Sequence, residues 1–156
     1  MKSILMIYAS MSGNTEEIAD ILENELQKFD IQLTREQFDI EEPDPLHLKM
    51  YDGVLFGTYT WGDGDLPYEV EDYYEEMENV TLESLKVGLF GSCDSMYPKY
   101  GEALDIMRDQ FQKQGAQIVA VPLKVELDPE AEDARAAREL AHTLMQYLEV
   151  KVTRIS

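Results

Sequence analysis

Residues 8–15 read Tyr-Ala-Ser-Met-Ser-Gly-Asn-Thr and follow directly on the apolar run Ile4-Leu5-Met6-Ile7. A buried strand that runs into a hydroxyl-rich turn, and then into a helix at Asn14 or Thr15, leaves unpartnered backbone N–H groups aimed at one spot. The helix dipole favours an anion there. Ser10, Ser12 and Thr15 add hydroxyls, Asn14 adds an amide, and Gly13 lets backbone approach closely, with Met11 lying among them. The segment holds no Lys or Arg, so a phosphate bound here rests on neutral donors. The Gly-Lys-Ser/Thr element of a nucleoside-triphosphate loop is missing. Ordinary capping of the helix is the competing account of the same side chains.

Two more segments carry residues of this kind. The first is Thr58-Tyr59-Thr60-Trp61-Gly62-Asp63-Gly64-Asp65. Trp61 is the only tryptophan and has polar, flexible neighbours, which suits a flat face offered to a planar ligand. A Trp that merely covers a strand end is the alternative. The second segment runs over residues 91–101 and holds Ser92, Cys93, Asp94, Tyr97, Tyr100 and Gly101. It offers backbone donors, a second aromatic plate in Tyr97 and the carboxylate of Asp94. Cys93 has no base or cation nearby in sequence to activate it and reads as a small filler, and Met96 reads as packing. The sum is a phosphate nest, two aromatic plates and backbone donors and acceptors. That suits a phosphorylated planar heterocycle, and flavin mononucleotide (FMN) fits it well. His47 and His142 have no ligand-spaced neighbours, so no metal site is expected, and no acid–base pair stands out.

The elements that must position these segments are legible from periodicity. Strands are expected over 3–8, 32–38, 53–58, 86–91 and 117–123. The runs Val54-Leu55-Phe56 and Ile118-Val119-Ala120-Val121 are continuous, as in strands buried on both faces. Between the strands, Ile18, Ile21, Leu22, Leu26 and Phe29 share one helical face, as do Val70, Tyr73, Tyr74 and Met77. Leu104, Met107 and Phe111 form a third face, with Gly115 ending that helix. Asp128-Pro129 reads as the N-cap and first turn of a last helix that buries Ala137, Leu140, Ala141, Leu144, Met145 and Leu148. Residues 41–49, with two prolines, read as irregular or one short turn. Strands alternating with helices imply an α/β domain on a parallel sheet with right-handed crossovers. Ligands of such sheets bind beyond the carboxyl ends of the strands, which is where the three segments fall.

Length and composition bound the rest. The 156 residues read as one domain, 1–156, with 44% hydrophobic residues to build a core. Thirteen Lys and Arg against 32 Asp and Glu give a formal charge of −19. That argues against nucleic acid and anionic membranes as partners and suits steering onto a basic protein surface. A solvated acidic surface without a partner is the plainer account. The single cysteine and the absence of a leader-like or spanning apolar segment lead us to expect a cytoplasmic protein.

Three motifs in order, Ser10-Met11-Ser12-Gly13-Asn14-Thr15, Thr60-Trp61-Gly62-Asp63 and Asp94-Ser95-Met96-Tyr97, resemble those of the flavodoxin family. The resemblance covers the chain from first strand to last helix. The uninterrupted run over 117–123 looks like the short-chain branch. The resemblance implies a three-layer α/β sandwich with five parallel strands ordered 2-1-3-4-5. It implies FMN bound by Ser10, Met11, Ser12, Gly13, Asn14 and Thr15 around the phosphate, and by Thr58, Tyr59, Thr60, Trp61, Gly62, Asp63, Ser92, Cys93, Asp94, Tyr97, Tyr100 and Gly101 around the ring. Tyr97 and Trp61 would flank the ring, and the backbone of Asp94 and Gly101 would meet its pyrimidine edge. Many relatives carry Cys where this chain has Gly101. The Gly62–Asp63 peptide would turn its carbonyl toward the ring in the semiquinone. Asp63, Asp65, Glu69, Asp94 and Glu102 are the carboxylates expected near it. One carboxylate roughly 10 Å away at an effective dielectric of ~40 costs an anionic hydroquinone about 0.8 kcal/mol. Since about 1.4 kcal/mol is roughly 59 mV for one electron, several such charges lower the potential by on the order of 100 mV.

The implied activity is that of a low-potential one-electron carrier, not an enzyme, cycling between semiquinone and hydroquinone. Its expected partners are an NAD(P)H-dependent flavodoxin reductase with a basic docking face, or an iron–sulfur reductase, together with acceptor enzymes. A monomer is expected. An FMN-dependent NAD(P)H:quinone oxidoreductase on the same fold is the alternative, disfavoured by the short chain and the lack of a basic cluster near the three loops. A receiver-type signalling domain would need clustered acids after the first strand, where this chain has Ser, Gly, Asn and Thr.

Overall fold

The computed structural model describes residues 1–153; residues 154–156, the end of the expected domain, lie outside the described residues. Six strands, β1 (Lys2–Tyr8), β2 (Ile31–Gln37), β3 (Gly53–Gly57), β4 (Lys86–Cys93), β5 (Gln117–Ile118) and β6 (Leu123–Glu126), form one parallel sheet. The helices are α1 (Asn14–Leu26), α2 (Phe38–Glu41), α3 (Tyr68–Glu76), α4 (Glu102–Lys113) and α5 (Ala131–Tyr147). The strand order is β2-β1-β3-β4-β5, with β6 also on β4, so the expected order 2-1-3-4-5 holds. No described helix is long and apolar enough to cross a membrane.

Period-two alternation in the central strands makes two cores, one on each face. From β1, Ile4, Met6 and Tyr8 join Ile18, Leu22 and Leu26 of α1 and Ala137, Ala141 and Leu144 of α5. Leu5 and Ile7 face the other way, onto Val70 and Tyr73 of α3 and Leu104, Met107 and Phe111 of α4. Phe56 anchors the second core, edge-on to Phe38 and Phe111 with ring centroids 5.7 and 5.6 Å apart. Full burial of each such side chain contributes about 1.5–3 kcal/mol, which holds the loops' strands rigid. The weakly patterned second strand pairs with β1 along its whole length, from Lys2↔Ile31 to Tyr8↔Gln37.

Two expectations are corrected. The last strand is not uninterrupted over 117–123: it is β5, a four-residue break, and β6, which ends three residues later than expected. Val119 still donates to the Val87 carbonyl, but Val121 is 86% exposed and Pro122 has no N–H to give the sheet. The apolar run therefore marks a bulge on an edge, not a strand covered on both faces. The last helix begins at Ala131 rather than at Asp128-Pro129, because Glu130 is its N-cap, with its N–H donating to Asp133 Oδ2 at 2.9 Å. The region 41–49 holds the end of α2 and a 3₁₀ turn over Pro45–Met50, whose Leu46 N–H is capped by Asp44.

Candidate functional site

The loops after β1, β3, β4 and β6 meet at the carboxyl edge of the sheet, around a cleft of about 430 Å³. It is lined by Met11, Ser12, Asn14, Tyr59, Thr60, Trp61, Gly62, Ser92, Cys93, Asp94, Tyr97 and Leu127. No Lys, Arg or His is in that lining.

The first loop turns through Gly13, which caps α1 with φ 90°, a left-handed conformation. The Gly13 carbonyl accepts the first helical N–H, from Glu17 at 3.0 Å, and Ser10 Oγ accepts from Glu16 N at 3.2 Å. Among the described residues no protein acceptor meets the backbone N–H groups of residues 10–15. Ser10 thus serves as a cap, as the plainer account of this loop holds, while the amides beside it stay free. Thr15 goes the other way from expectation: it is buried, its Oγ1 accepts from Ser92 N at 3.2 Å, and it lies 3.1 Å from Ser92 Oγ. It ties α1 to β4 beneath the cleft.

The second loop is a tight hairpin. Trp61 and Asp65 exchange backbone bonds at 2.8 and 2.9 Å, with Gly62 and Gly64 at positive φ between them. Trp61 sits at its edge, 52% exposed, so it does not cover the strand end. Thr60 Oγ1 accepts from Ala103 N at 3.2 Å and fixes this loop to the first turn of α4. The Tyr59 hydroxyl donates to Glu69 of α3 at 3.2 Å. Burial, then the Glu69 charge, pushes the Tyr59 phenol up to about 12.

The third loop begins where Thr58 and Gly91 touch. A Cβ at Gly91 would overlap the Thr58 carbonyl oxygen, so only glycine lets the β3 and β4 ends lie so close. Asp94 shapes the turn: its Oδ1 accepts from Met96 N at 2.9 Å and its carbonyl from Tyr97 N at 3.1 Å. Tyr97 is left 49% exposed. Cys93 is buried and its thiol is pushed up to about 11, by burial above all, which agrees with a filler. Met96 is 87% exposed, contrary to the packing role read from sequence.

Of the residues predicted for the site, Ser10, Gly13, Thr15, Thr58, Asp63, Tyr100 and Gly101 do not line the cleft. They cap, turn or brace the ones that do. Leu127 was missed. It follows β6 with φ 51° and donates its N–H to the Cys93 carbonyl at 2.9 Å. Ending the last strand at 123 hid it; a strand continued to 126 would have put the next loop at the same edge. Of the expected carboxylates, Asp94 lines the cleft and Glu69 is held against Tyr59. Among the described residues no group of three or more His, Cys, Asp or Glu is arranged to hold a metal.

A parallel sheet whose loops leave unpaired amides and two half-exposed aromatics around one cleft without a basic side chain defines a nucleotide-cofactor protein of the doubly wound class. A model of the flavodoxin family matches residues 6–140, and the chain belongs to that family. It is 44% identical over 148 residues to "Probable flavodoxin 1" of Bacillus subtilis (strain 168), covering 94% of this chain and 92% of that protein. It is 33% identical to a flavodoxin of Maridesulfovibrio salexigens, covering 85% and 92%. The crystal structure of oxidised Flavodoxin 1 from Bacillus cereus superposes with a TM-score of 0.89 at 42% identity, covering 92% and 97%. Flavodoxins are FMN-carrying electron-transfer proteins without a substrate reaction of their own, and the quinone-oxidoreductase alternative is not favoured.

Proposed function

We propose that the chain, as one flavodoxin-like domain, binds FMN in this cleft and serves as a low-potential one-electron carrier between its half-reduced and fully reduced forms. The observation that carries the proposal is the run of unpaired amides over residues 10–15, beside a cleft that has two aromatic plates and no basic side chain. The chemistry fits FMN. A phosphate finds N–H donors and a helix N-terminus, and a planar ring finds Trp61 and Tyr97. The volume of about 430 Å³ lies within the range of cofactor clefts, roughly 300–1,000 Å³. Bound FMN supplies one-electron transfer, and the protein supplies binding, orientation and electrostatics.

The chain's own residues then set the cofactor's properties. Among the described residues neither the Gly62 carbonyl nor the Asp63 N–H is bonded, and Gly62 tolerates either sign of φ, so that peptide can reorient toward a ring edge. Asp94 in the lining and Asp63, Asp65 and Glu69 on the neighbouring loop and helix disfavour added negative charge in the cleft, which lowers the potential. The same acidic groups, with Glu71, Asp72, Glu75 and Glu76 exposed on α3, make a docking face for a basic reductase and for acceptor enzymes. Such complexes are weak, fast and salt-sensitive. A cytoplasmic monomer that meets several partners in turn suits this chemistry.

The test is a visible spectrum during anaerobic stepwise reduction of the purified protein. A yellow protein that turns blue and then colourless supports the proposal. A flavin that takes both electrons at once overturns the one-electron reading, and a colourless protein that refuses added FMN overturns the whole assignment.

A further inference from the structure

The loop that carries Tyr97 leaves the sheet at Cys93 and returns to it at α4, and side chains of β6 reach both of its ends. Glu126 accepts from Ser95 N at 3.2 Å and from Ser95 Oγ at 2.9 Å, at the outgoing end. The Tyr100 hydroxyl, at the returning end, faces the same carboxylate. Two residues back on the same face of β6, Lys124 Nζ donates to the Tyr100 carbonyl at 3.1 Å and to Asp105 of α4 at 2.7 Å. The anchor itself is fixed. Cys93 and Glu126 are register partners, and the next residue, Leu127, donates to the Cys93 carbonyl at 2.9 Å. The strand break at 119–122 is followed by a β6 that runs on to Glu126, and so delivers both side chains to the carboxyl edge.

From this geometry we infer that Glu126 and Lys124 are positioning residues for the aromatic plate: one carboxylate and one ammonium clamp both stems of the loop and hold Tyr97 over the cleft. They do not line the cleft and act only through Ser95 and Tyr100. The effect on cofactor binding rests on the FMN reading above; the clamp on the loop does not. The charge of Glu126 matters because a charged acceptor holds the Ser95 N–H and O–H about twice as strongly as a neutral one. The Ser95 donors, first of all, hold the Glu126 carboxyl below the usual carboxylate range. The depressed value fixes the sign: the clamp is intact at neutral pH and is lost as pH falls through the lowered Glu126 value. The groups facing this carboxylate are Ser95, Tyr100 and Cys93 from the loop and β4, with Asp133 of α5 beyond Tyr100.

The experiment is amide hydrogen exchange on the apoprotein for Glu126→Ala, Glu126→Gln and Lys124→Met, followed by FMN affinity on the same proteins. In Glu126→Ala, exchange at residues 95–100 should rise about tenfold, the size expected for losing a charged hydrogen bond, while residues 10–15 and 61–65 stay unchanged. Glu126→Gln should restore part of the protection, and the acid-dependent loosening expected of the wild type should be absent in it. Lys124→Met should loosen residues 99–101 more than 95–97. FMN should bind about tenfold more weakly to Glu126→Ala. Unchanged exchange over 95–100 in Glu126→Ala overturns the clamp, as does an increase spread evenly over all three loops. If the wild type binds no FMN, the FMN reading falls while the exchange pattern still decides the clamp.

Discussion

The loop after β1 and the loop after β4 face each other across one cleft and use their polar groups in opposite ways. In the first, the amides of residues 10–15 meet no protein acceptor; Ser10 Oγ caps the helix by accepting from Glu16 N, and Thr15 Oγ1 accepts from Ser92 N. In the second, Asp94 fixes the turn, Glu126 holds Ser95, and Lys124 holds Tyr100. One loop keeps its donors free for something that is not protein. The other commits its polar groups to holding an aromatic ring in place. A site that must grip an anion and present a flat plate needs both, and unpaired amides are tolerable only where water or a ligand can reach them.

The sharpest way to break this contrast is to put charge among the free donors. Ser12 is exposed and makes no side-chain bond, so Ser12→Asp should leave the fold intact, and an acid near a helix N-terminus is mildly stabilising. Against a bound phosphate, a charge about 4 Å away at an effective dielectric of about 20 costs about 4 kcal/mol. FMN affinity should fall by on the order of a thousandfold, while riboflavin, which lacks the phosphate, should bind about as before. Calorimetric titration with both ligands decides it: equal losses for the two would show that the first loop is not the phosphate site.

Next in size is the contact that keeps the loops together. Gly91→Ala drives a methyl group into the Thr58 carbonyl, a backbone atom whose residue is itself held to β4 by its N–H on the Phe90 carbonyl, so it cannot yield cheaply. Overpacking of this kind costs about 3 kcal/mol, and urea unfolding should show it. A variant as stable as the parent would mean that the β3 and β4 ends can part freely, and that the rigidity ascribed to the third loop is overstated.

Thr15 is the joint between the two loops. Thr15→Val keeps the shape but leaves the Ser92 N–H without its acceptor, at a site under 10% exposed. The loss should be about 1–3 kcal/mol, with Thr15→Ser restoring most of it. If Val and Ser behave alike in denaturant, the hydroxyl bond is not what couples α1 to β4.

The parts of this molecule that were legible in sequence are those where one local signal dominates. The strand–hydroxyl-turn–helix at 4–15 and the parallel α/β sheet were readable because apolar runs alternate with helical faces and leave few alternatives, while the strand order 2-1-3-4-5 came from the family resemblance. So were the convergence of three loops and the exposure of Trp61. What was not legible depended on neighbours distant in the chain. Thr15 looks like any hydroxyl in a nest until Ser92, 77 residues away, claims it. The run Val119-Ala120-Val121 has the composition of a buried strand, yet Pro122 cannot donate and Val121 turns out to solvent. That error in the edge strand also hid Leu127, Lys124 and Glu126, because it placed the strand's end too early. Glu130 outbid Asp128 as a cap because its N–H finds Asp133, a pairing that residue types alone do not rank.

The smallest expected effect separates the loops by pH. The first loop, residues 10–15, carries no ionisable side chain, whereas Tyr59 on the second and Tyr100 on the third are each pushed up to about 12, in both cases by burial first. Glu69 adds its charge at Tyr59, and Cys93 and Glu126 add theirs at Tyr100. A folded value raised above the ordinary phenol means that the neutral ring is the favoured form. The stability this gives is complete below about pH 10 and disappears as pH rises through about 12. The second and third loops should therefore loosen in that window while the first does not. Tyr59→Phe removes one hydrogen bond at a partly exposed position, which is worth about 0.5–1 kcal/mol. It should also remove a late step from the phenolate absorbance titration and from the pH dependence of Trp61 fluorescence, two residues along the same hairpin. If both late steps survive in Tyr59→Phe, the ring is not held against Glu69, and the second loop is braced by Thr60 and the Trp61–Asp65 bridge alone.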